Sequence, residues 1–371
     1  MPFPCAPLPP LIPGGNVQPT FPPQVAPPPP VPVQVGNIAI AEPPGALPPP
    51  RVVPRPVAPR FVSDLPLANP WVQAWLATLA RATYYSTDLY FARAARIVST
   101  DYLTTFVPNT SNSGIPGYGM VTMPQGVIVV VSGTTNAGQW LAQTLGAQPV
   151  EVPKLLNIGI TGGYTTLPLW RDAAQAVWTA TNNLALSDQV LFIGHSMGGA
   201  VASILHGVWQ STGTGHGGSR LTTFASPQPG DGRLAEATRT GPQVYRRLWC
   251  PGDVVPSLPP DLRSLNVVIP APIQPLVNAW GAFEHAAAGS RVNPDGTVEP
   301  ADEDFILTNL LGALTQLAAG QSLTLASAHQ MRTYTDRLLL RTTTAGVAPP
   351  TDWSNVPGLI SVNADLTGAG L

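Results

Sequence analysis

The sequence predicts an α/β fold, a mostly parallel sheet covered by helices on both faces, and three observations carry that prediction. Residues 126–131, Gly-Val-Ile-Val-Val-Val, are apolar without alternation, as a strand must be when helices bury both of its faces. Strand-like runs then alternate with helical patterns: a helix over 168–184, strands over 189–193, 221–224 and 244–250, and a further strand over 266–269. Finally, the strand over 189–193 runs straight into Gly194-His195-Ser196-Met197-Gly198. An apolar-periodic helix with Val201, Ile204, Leu205 and Val208 follows.

In chain order, the first 60 residues stand apart. They hold 22 of the 45 prolines, with runs at 27–30 and 48–50, and no charged residue precedes Glu42. Such a segment has too few periodic apolar side chains to build a core. Residues 1–60 are therefore expected to form a disordered, extended, polyproline-type arm. We read it as a stiff spacer; the competing reading is a docking site for a proline-binding partner. One domain over 65–345 follows, and its roughly 280 residues suffice for a well-buried core. Asn69 caps its first helix, Pro70 occupies the first helical position, and Trp71, Trp75, Leu79 and Ala82 recur near helical spacing. A second helix is expected over 88–97. Residues 346–371 show little periodicity and are expected as a loosely packed tail.

Composition excludes some classes of partner. The net charge is −2 with charged residues at 10%, so there is no basic field for nucleic acid and no polybasic membrane patch. Cys5 and Cys250 do not make a disulfide framework. The start, Met-Pro-Phe-Pro-Cys, lacks the basic and continuous apolar regions of a secretory signal, so the location expected by default is cytoplasmic. No transmembrane segment is expected, because no window approaches 18 uninterrupted apolar residues.

The chemistry centres on Ser196. A sharp strand-to-helix turn exposes a serine on top of the sheet, and Gly194 and Gly198 admit the close backbones such a turn requires. The N–H of Met197 then lies at a helix N-terminus, facing the place where an oxyanion would develop. A serine hydroxyl needs a base to take its proton. Of five histidines, His195 is adjacent to Ser196 and cannot reach it properly, while His206 and His216 read as surface residues, leaving His285 and His329. His329 is the better base, because Ser327 looks like an N-cap and Met331, Tyr334 and Leu338 form a buried stripe behind it. A histidine in that first turn would be held neutral by the helix. The acid that orients it should leave a strand end. Asp253, after the strand over 244–250, fits better than Asp231, which reads as a carboxylate bonding its own turn. The strand over 126–131 delivers Gly133 and Thr134 to the same edge, so Thr134 joins Met197 as the oxyanion-hole candidate. Residues 137–145, with Trp140, form a short amphipathic segment that reads equally as a packed helix or a lid.

These segments resemble the class 3 lipases, the fungal-type triacylglycerol lipase family of α/β-hydrolases, in order across about 65–342. Gly133-Thr134 with Trp140 is similar to the family's oxyanion turn and lid tryptophan. Gly194 to Gly199 is similar to its nucleophile motif, and Phe224-Ala225-Ser226-Pro227 with Gly230-Asp231 to the loop that follows. Asp253-Val254-Val255-Pro256 with Leu258-Pro259-Pro260 resembles the segment that carries its catalytic aspartate. Phe283-Glu284-His285 resembles a non-catalytic segment, and His329 with Tyr334 the C-terminal catalytic histidine and aromatic. Some segments depart. Val131-Ser132-Gly133 stands for Phe-Arg-Gly, Asn157 to Ile160 for His-x-Gly-Phe, and Ala328-His329 for Asp-His, with an insertion around 312–321.

The resemblance implies a serine hydrolase of carboxylic esters, acylglycerols first, with Ser196, Asp253 and His329 as its triad and the substrate met at a lipid interface. No metal or organic cofactor is implied. Phospholipid or small soluble esters are the alternatives in class. An inactive binding module presenting its proline-rich arm is the alternative outside it.

Overall fold

A strand with no polar residue is stable only where both of its faces are covered, and the strand over 126–131 is wholly buried. The computed structural model describes residues 62–108, 116–134, 150–152, 164–181, 189–211, 218–239, 245–259, 283–300, 327–351 and 353–368. All of them lie in one compact unit, Pro54–Leu371. The proline-rich arm, the strand expected over 266–269 and the segment with Trp140 lie outside the described residues.

After a 3-10 turn, Val62–Asp64, come helices α1 (Pro70–Ala82) and α2 (Asp88–Ala95). Strands β1 (Leu103–Val107), β2 (Tyr118–Met123) and β3 (Gly126–Val131) follow, then the short pair β4 (Val150–Val152) and β5 (Tyr164–Thr166) and helix α3 (Pro168–Thr181). Next are β6 (Val190–His195), α4 (Met197–Ser211), β7 (Ser219–Phe224), β8 (Gly230–Asp231), α5 (Gly232–Thr238) and β9 (Tyr245–Trp249). The short strands β10 (Phe283–Glu284), β11 (Ser290–Val292) and β12 (Val298–Pro300) precede helices α6 (Met331–Thr344) and α7 (Val356–Gly368).

Among the described residues the main sheet has eight strands in the order β1-β2-β3-β6-β7-β9-β11-β12. Its centre, from β3 to β11, is parallel. Antiparallel pairs flank it, with β1 and β2 at one side and β12 at the other. Alternation divides the side chains between two cores. Val127, Val129, Val131, Val190 and Phe192 pack with Trp170, Ile204 and Leu205 from α3 and α4. Ile128, Val130, Leu191 and Ile193 pack on the opposite face with Trp75, Leu76 and Leu79 of α1 and Tyr334 and Leu338 of α6.

The first helix begins as its cap signals require: the Asn69 side chain accepts from the Trp71 N–H at 2.8 Å, with Pro70 in the first turn. The indole N–H of Trp75 donates to the Ala94 carbonyl at 2.8 Å and locks α1 to α2. Arg220 donates to the carbonyls of Val62 and Leu65, tying the domain's entry to β7.

Two expectations are corrected. The segment 346–371 is not a loose tail, because α7 buries Leu359, Val362 and Leu366, which recur at helical spacing, in the second core. Asn363 donates to Thr78 of α1 at 2.7 Å, and Trp353 stacks edge-on against Trp75 with ring centroids 5.7 Å apart. Leu366 is fully buried. Its replacement by Ala should therefore cost about 2–5 kcal/mol of unfolding free energy, read from urea denaturation. A loss under about 0.5 kcal/mol would return the segment to the status of a tail. The second correction concerns α6, which starts at Met331 with Gln330 as its cap residue, not with Ser327. Ser327–His329 form a separate 3-10 turn, so His329 sits ahead of the helix and not in its first turn.

Candidate active site

The parallel strands end on one edge, where the turn after β6 begins the site. Ser196 has φ 55°, the left-handed region a non-glycine residue rarely adopts, at a cost of about 1–3 kcal/mol. The turn is possible because its glycines carry no side chain: a Cβ on Gly194 would strike the backbone of Gly198. Ser196 N–H donates to the Phe224 carbonyl at 3.0 Å, which pins the serine to the neighbouring strand.

His329 reaches Ser196 from the 3-10 turn before α6. Its Nε2 lies 2.9 Å from Ser196 Oγ, and its Nδ1 lies 3.0 Å from each oxygen of the Asp253 carboxylate. A carboxylate can only accept, so Nδ1 carries the hydrogen and Nε2 presents its lone pair to the serine hydroxyl. Ser196, Asp253 and His329 are all buried.

The Asp253 carboxylate is held on three sides. Oδ1 accepts from the Val255 N–H at 3.0 Å, and Oδ2 accepts from the Tyr334 hydroxyl at 2.8 Å. Tyr334 in turn accepts from the Cys250 N–H at 2.9 Å, which joins the end of β9 to α6. Burial and the adjacent Asp253 carboxylate push the Tyr334 phenol well above its ordinary value, so it stays a donor. Cys250 is a buried free thiol, raised by its burial to about 12 and thus inert.

The rival acid and the rival histidine have other tasks. Asp231 caps α5, accepting from the Leu234 N–H at 3.1 Å. His285 donates from Nε2 to the Pro256 carbonyl at 2.8 Å and braces the loop after Asp253. Its imidazole is held well below the usual histidine value by burial and by the neighbouring Arg247 charge. His206, expected on the surface, is fully buried, with Nδ1 2.9 Å from Ser219 Oγ. The reason is that α4 is buried on every side from Met197 to Trp209. His216 lies outside the described residues.

Met197 follows Ser196 directly in the chain. Met197 opens α4, so its N–H belongs to the helix's free first turn. Gly133 is wedged against the site: a Cβ there would strike the Tyr84 hydroxyl, the Ser196 side chain and the His195 carbonyl. The Gly133 N–H is committed to the Tyr84 hydroxyl at 2.9 Å. Thr134, half-buried, is the next residue in the chain.

The sequence reading missed Tyr84 and the use of His195. His195 lies between Tyr84, whose hydroxyl is within hydrogen-bond distance of Nδ1, and the His329 carbonyl, 2.9 Å from Nε2. No motif marks Tyr84, which falls in Thr83-Tyr84-Tyr85-Ser86 after α1. Among the described residues, no group of three or more His, Cys, Asp or Glu side chains could hold a metal ion. Nor is any described helix long and apolar enough to cross a membrane.

Parts of the chain are similar to known proteins. The family model described as lipase (class 3) matches residues 128–263, from β3 to beyond the Asp253 loop. The Lip2 lipase of Yarrowia lipolytica is similar in fold, with a TM-score of 0.50 at 13% identity over 69% of this chain and 90% of that one. A Rhizomucor miehei lipase propeptide complex, in a deletion mutant, aligns at 18% identity over 64% of this chain and 74% of that one, TM-score 0.46. A mutant form of MDLA from Penicillium cyclopium aligns at 19% identity over 69% of this chain and 93% of that one, TM-score 0.43. No curated protein matches the sequence. The stretch that holds its nucleophile turn and acid loop, residues 128–263, is thus similar to the class 3 lipases.

Proposed function

We propose that this chain hydrolyses acylglycerols through an acyl-enzyme on Ser196. The observation that carries the proposal is the line from Asp253 through His329 to Ser196, with the base 2.9 Å from the nucleophile and its second nitrogen fixed by the acid. Ser196 Oγ attacks the ester carbonyl while His329 Nε2 takes its proton, and the imidazolium is stabilised by the Asp253 carboxylate. The N–H groups of Thr134 and Met197 receive the oxyanion. Collapse of the tetrahedral adduct releases the alcohol, which leaves with the proton from His329. Water, deprotonated by the same nitrogen, then frees the fatty acid and restores the serine.

Acylglycerols fit a chain with only 10% charged residues and no basic field to favour an anionic headgroup. The substrate is met at an oil–water surface. A fluorophosphonate probe should label Ser196 once per chain, and the label should vanish in Ser196→Ala. A series of p-nitrophenyl esters, run beside emulsified triglyceride and phospholipid, then sorts the substrates. Activity rising with chain length and highest on triglyceride is the expected result. Preference for phospholipid or for short soluble esters would replace the substrate class. Absence of labelling would leave a binding module.

A further inference from the structure

Tyr84 and His195 form a relay that joins the two halves of the site, and its hydrogen-bond roles follow from satisfiability alone. The His329 carbonyl can only accept, so the His195 Nε2 facing it at 2.9 Å carries a hydrogen and donates. His195 is 3% exposed, and its ring lies against that of His329, with centroids 5.0 Å apart and planes tilted by 31°. Burial and the proximity of His329 hold its imidazole well below the ordinary value, so the ring is neutral. A neutral imidazole with a hydrogen on Nε2 has a bare Nδ1. The Tyr84 hydroxyl must therefore donate to it. That same oxygen accepts the Gly133 N–H at 2.9 Å. Burial raises the Tyr84 phenol above its ordinary value, which keeps this hydrogen in place.

We propose that Tyr84 and His195 are positioning residues, which hold the backbone of the base and the backbone of the oxyanion turn in register about Ser196. His195 fixes the His329 carbonyl, and through it the direction in which the His329 ring leaves the 3-10 turn. Tyr84 sets the tautomer of His195, and by taking the Gly133 N–H it orients the peptide that leads to Thr134. A neutral histidine suits position 195 because its ring offers one donor and one acceptor on opposite sides, which join a hydroxyl to a carbonyl. A charged group would repel the imidazolium that His329 becomes during turnover.

This inference rests on Ser196 and His329 being nucleophile and base, which fluorophosphonate labelling of the unaltered protein tests on its own. The relay is tested by Tyr84→Phe, His195→Gln and His195→Asn, assayed on a soluble ester with kcat expressed per labelled serine. Gln places its amide nitrogen near Nε2 and keeps the bond to His329. Asn places its amide near Nδ1 and loses that bond. Tyr84→Phe and His195→Asn should lower kcat about 10- to 100-fold with KM within about twofold, because misplacement of a reacting group falls on the transition state. His195→Gln should retain kcat within about fivefold of the unaltered protein. A residue that only packs the core would lower the melting temperature and leave kcat per labelled serine unchanged. Equal kcat per labelled serine in all three variants and the unaltered chain would overturn the proposal, as would equal losses in Gln and Asn.

Discussion

Replacing Asp253 with Asn should lower turnover by about 10⁴-fold, because an amide can turn its NH₂ toward Nδ1 and hold the imidazole in the wrong tautomer. His329 would then present a hydrogen, and not a lone pair, to Ser196 Oγ 2.9 Å away. The fold should survive, since Asn is nearly isosteric and its single amide oxygen can still accept one of the two bonds that Val255 and Tyr334 donate to separate oxygens of Asp253. Ser196→Ala and His329→Ala should each cost about 10⁴- to 10⁶-fold. The double variants should be little worse than the singles, because each member is useless without the others. His285→Ala is the control. Its ring braces the Pro256 carbonyl and does not touch Ser196, so most activity should remain. Initial rates on a soluble ester, with circular dichroism to verify folding, decide the matter. Loss of activity in His285→Ala with activity spared in His329→Ala would reverse the assignment of the base.

Acidification should unfold the protein through histidines that the core keeps neutral. Burial lowers His206 to about 3 in the folded state, against an ordinary value near 6.5. Between those values the unfolded chain binds a proton that the folded chain refuses, so unfolding free energy rises with pH across the window. The contribution is fully present above about pH 6.5 and is lost as pH falls toward 3. From pH 7 to pH 4 His206 alone should account for roughly 3 kcal/mol. His195 and His285, also held neutral, act in the same direction. Urea titrations at a series of pH values, on the unaltered chain and on His206→Asn, measure the effect. The variant should be less stable at pH 7 yet lose less on acidification. Parallel pH slopes in the two proteins would show that His206 carries no proton linkage.

The parts of the molecule legible in the sequence are those whose signal is local. Residues 126–131 could be placed because five successive apolar side chains have no other use than a strand covered on both faces. Ser196 could be placed because its glycines and flanking elements must all be present for such a turn. Asp253 and His329 were legible as the ends of a strand and of the stretch before a helix, and the structure brings both to Ser196. Other features depend on distant partners. β1 and β2 have mixed patterns, because only one face of that antiparallel edge is well covered, and β2 carries Gly119 where the Phe91 ring presses close. α7 contains Pro357 and Gly358, which read as loop signals, and its stability comes from α1, α2 and the Trp353–Trp75 contact. His206 read as a surface residue because one histidine on a helix says nothing of what encloses that helix. Tyr84 was invisible because its role is set by Gly133 and His195, 49 and 111 residues away in the chain.

The order in which the site's members occur along the chain has a consequence during synthesis. Ser196 leaves the ribosome first and Asp253 follows, while His329 comes 133 residues after the serine it must activate. Translation proceeds from the N-terminus, so the growing polypeptide displays a nucleophile turn and an acid loop well before it possesses a base. On the proposed roles, a partly made chain cannot yet attack the esters around it. The first helix must likewise wait for α6, its partner across the second core. On those roles, a product truncated before His329 lacks both its base and the helices α6 and α7 that complete the second core.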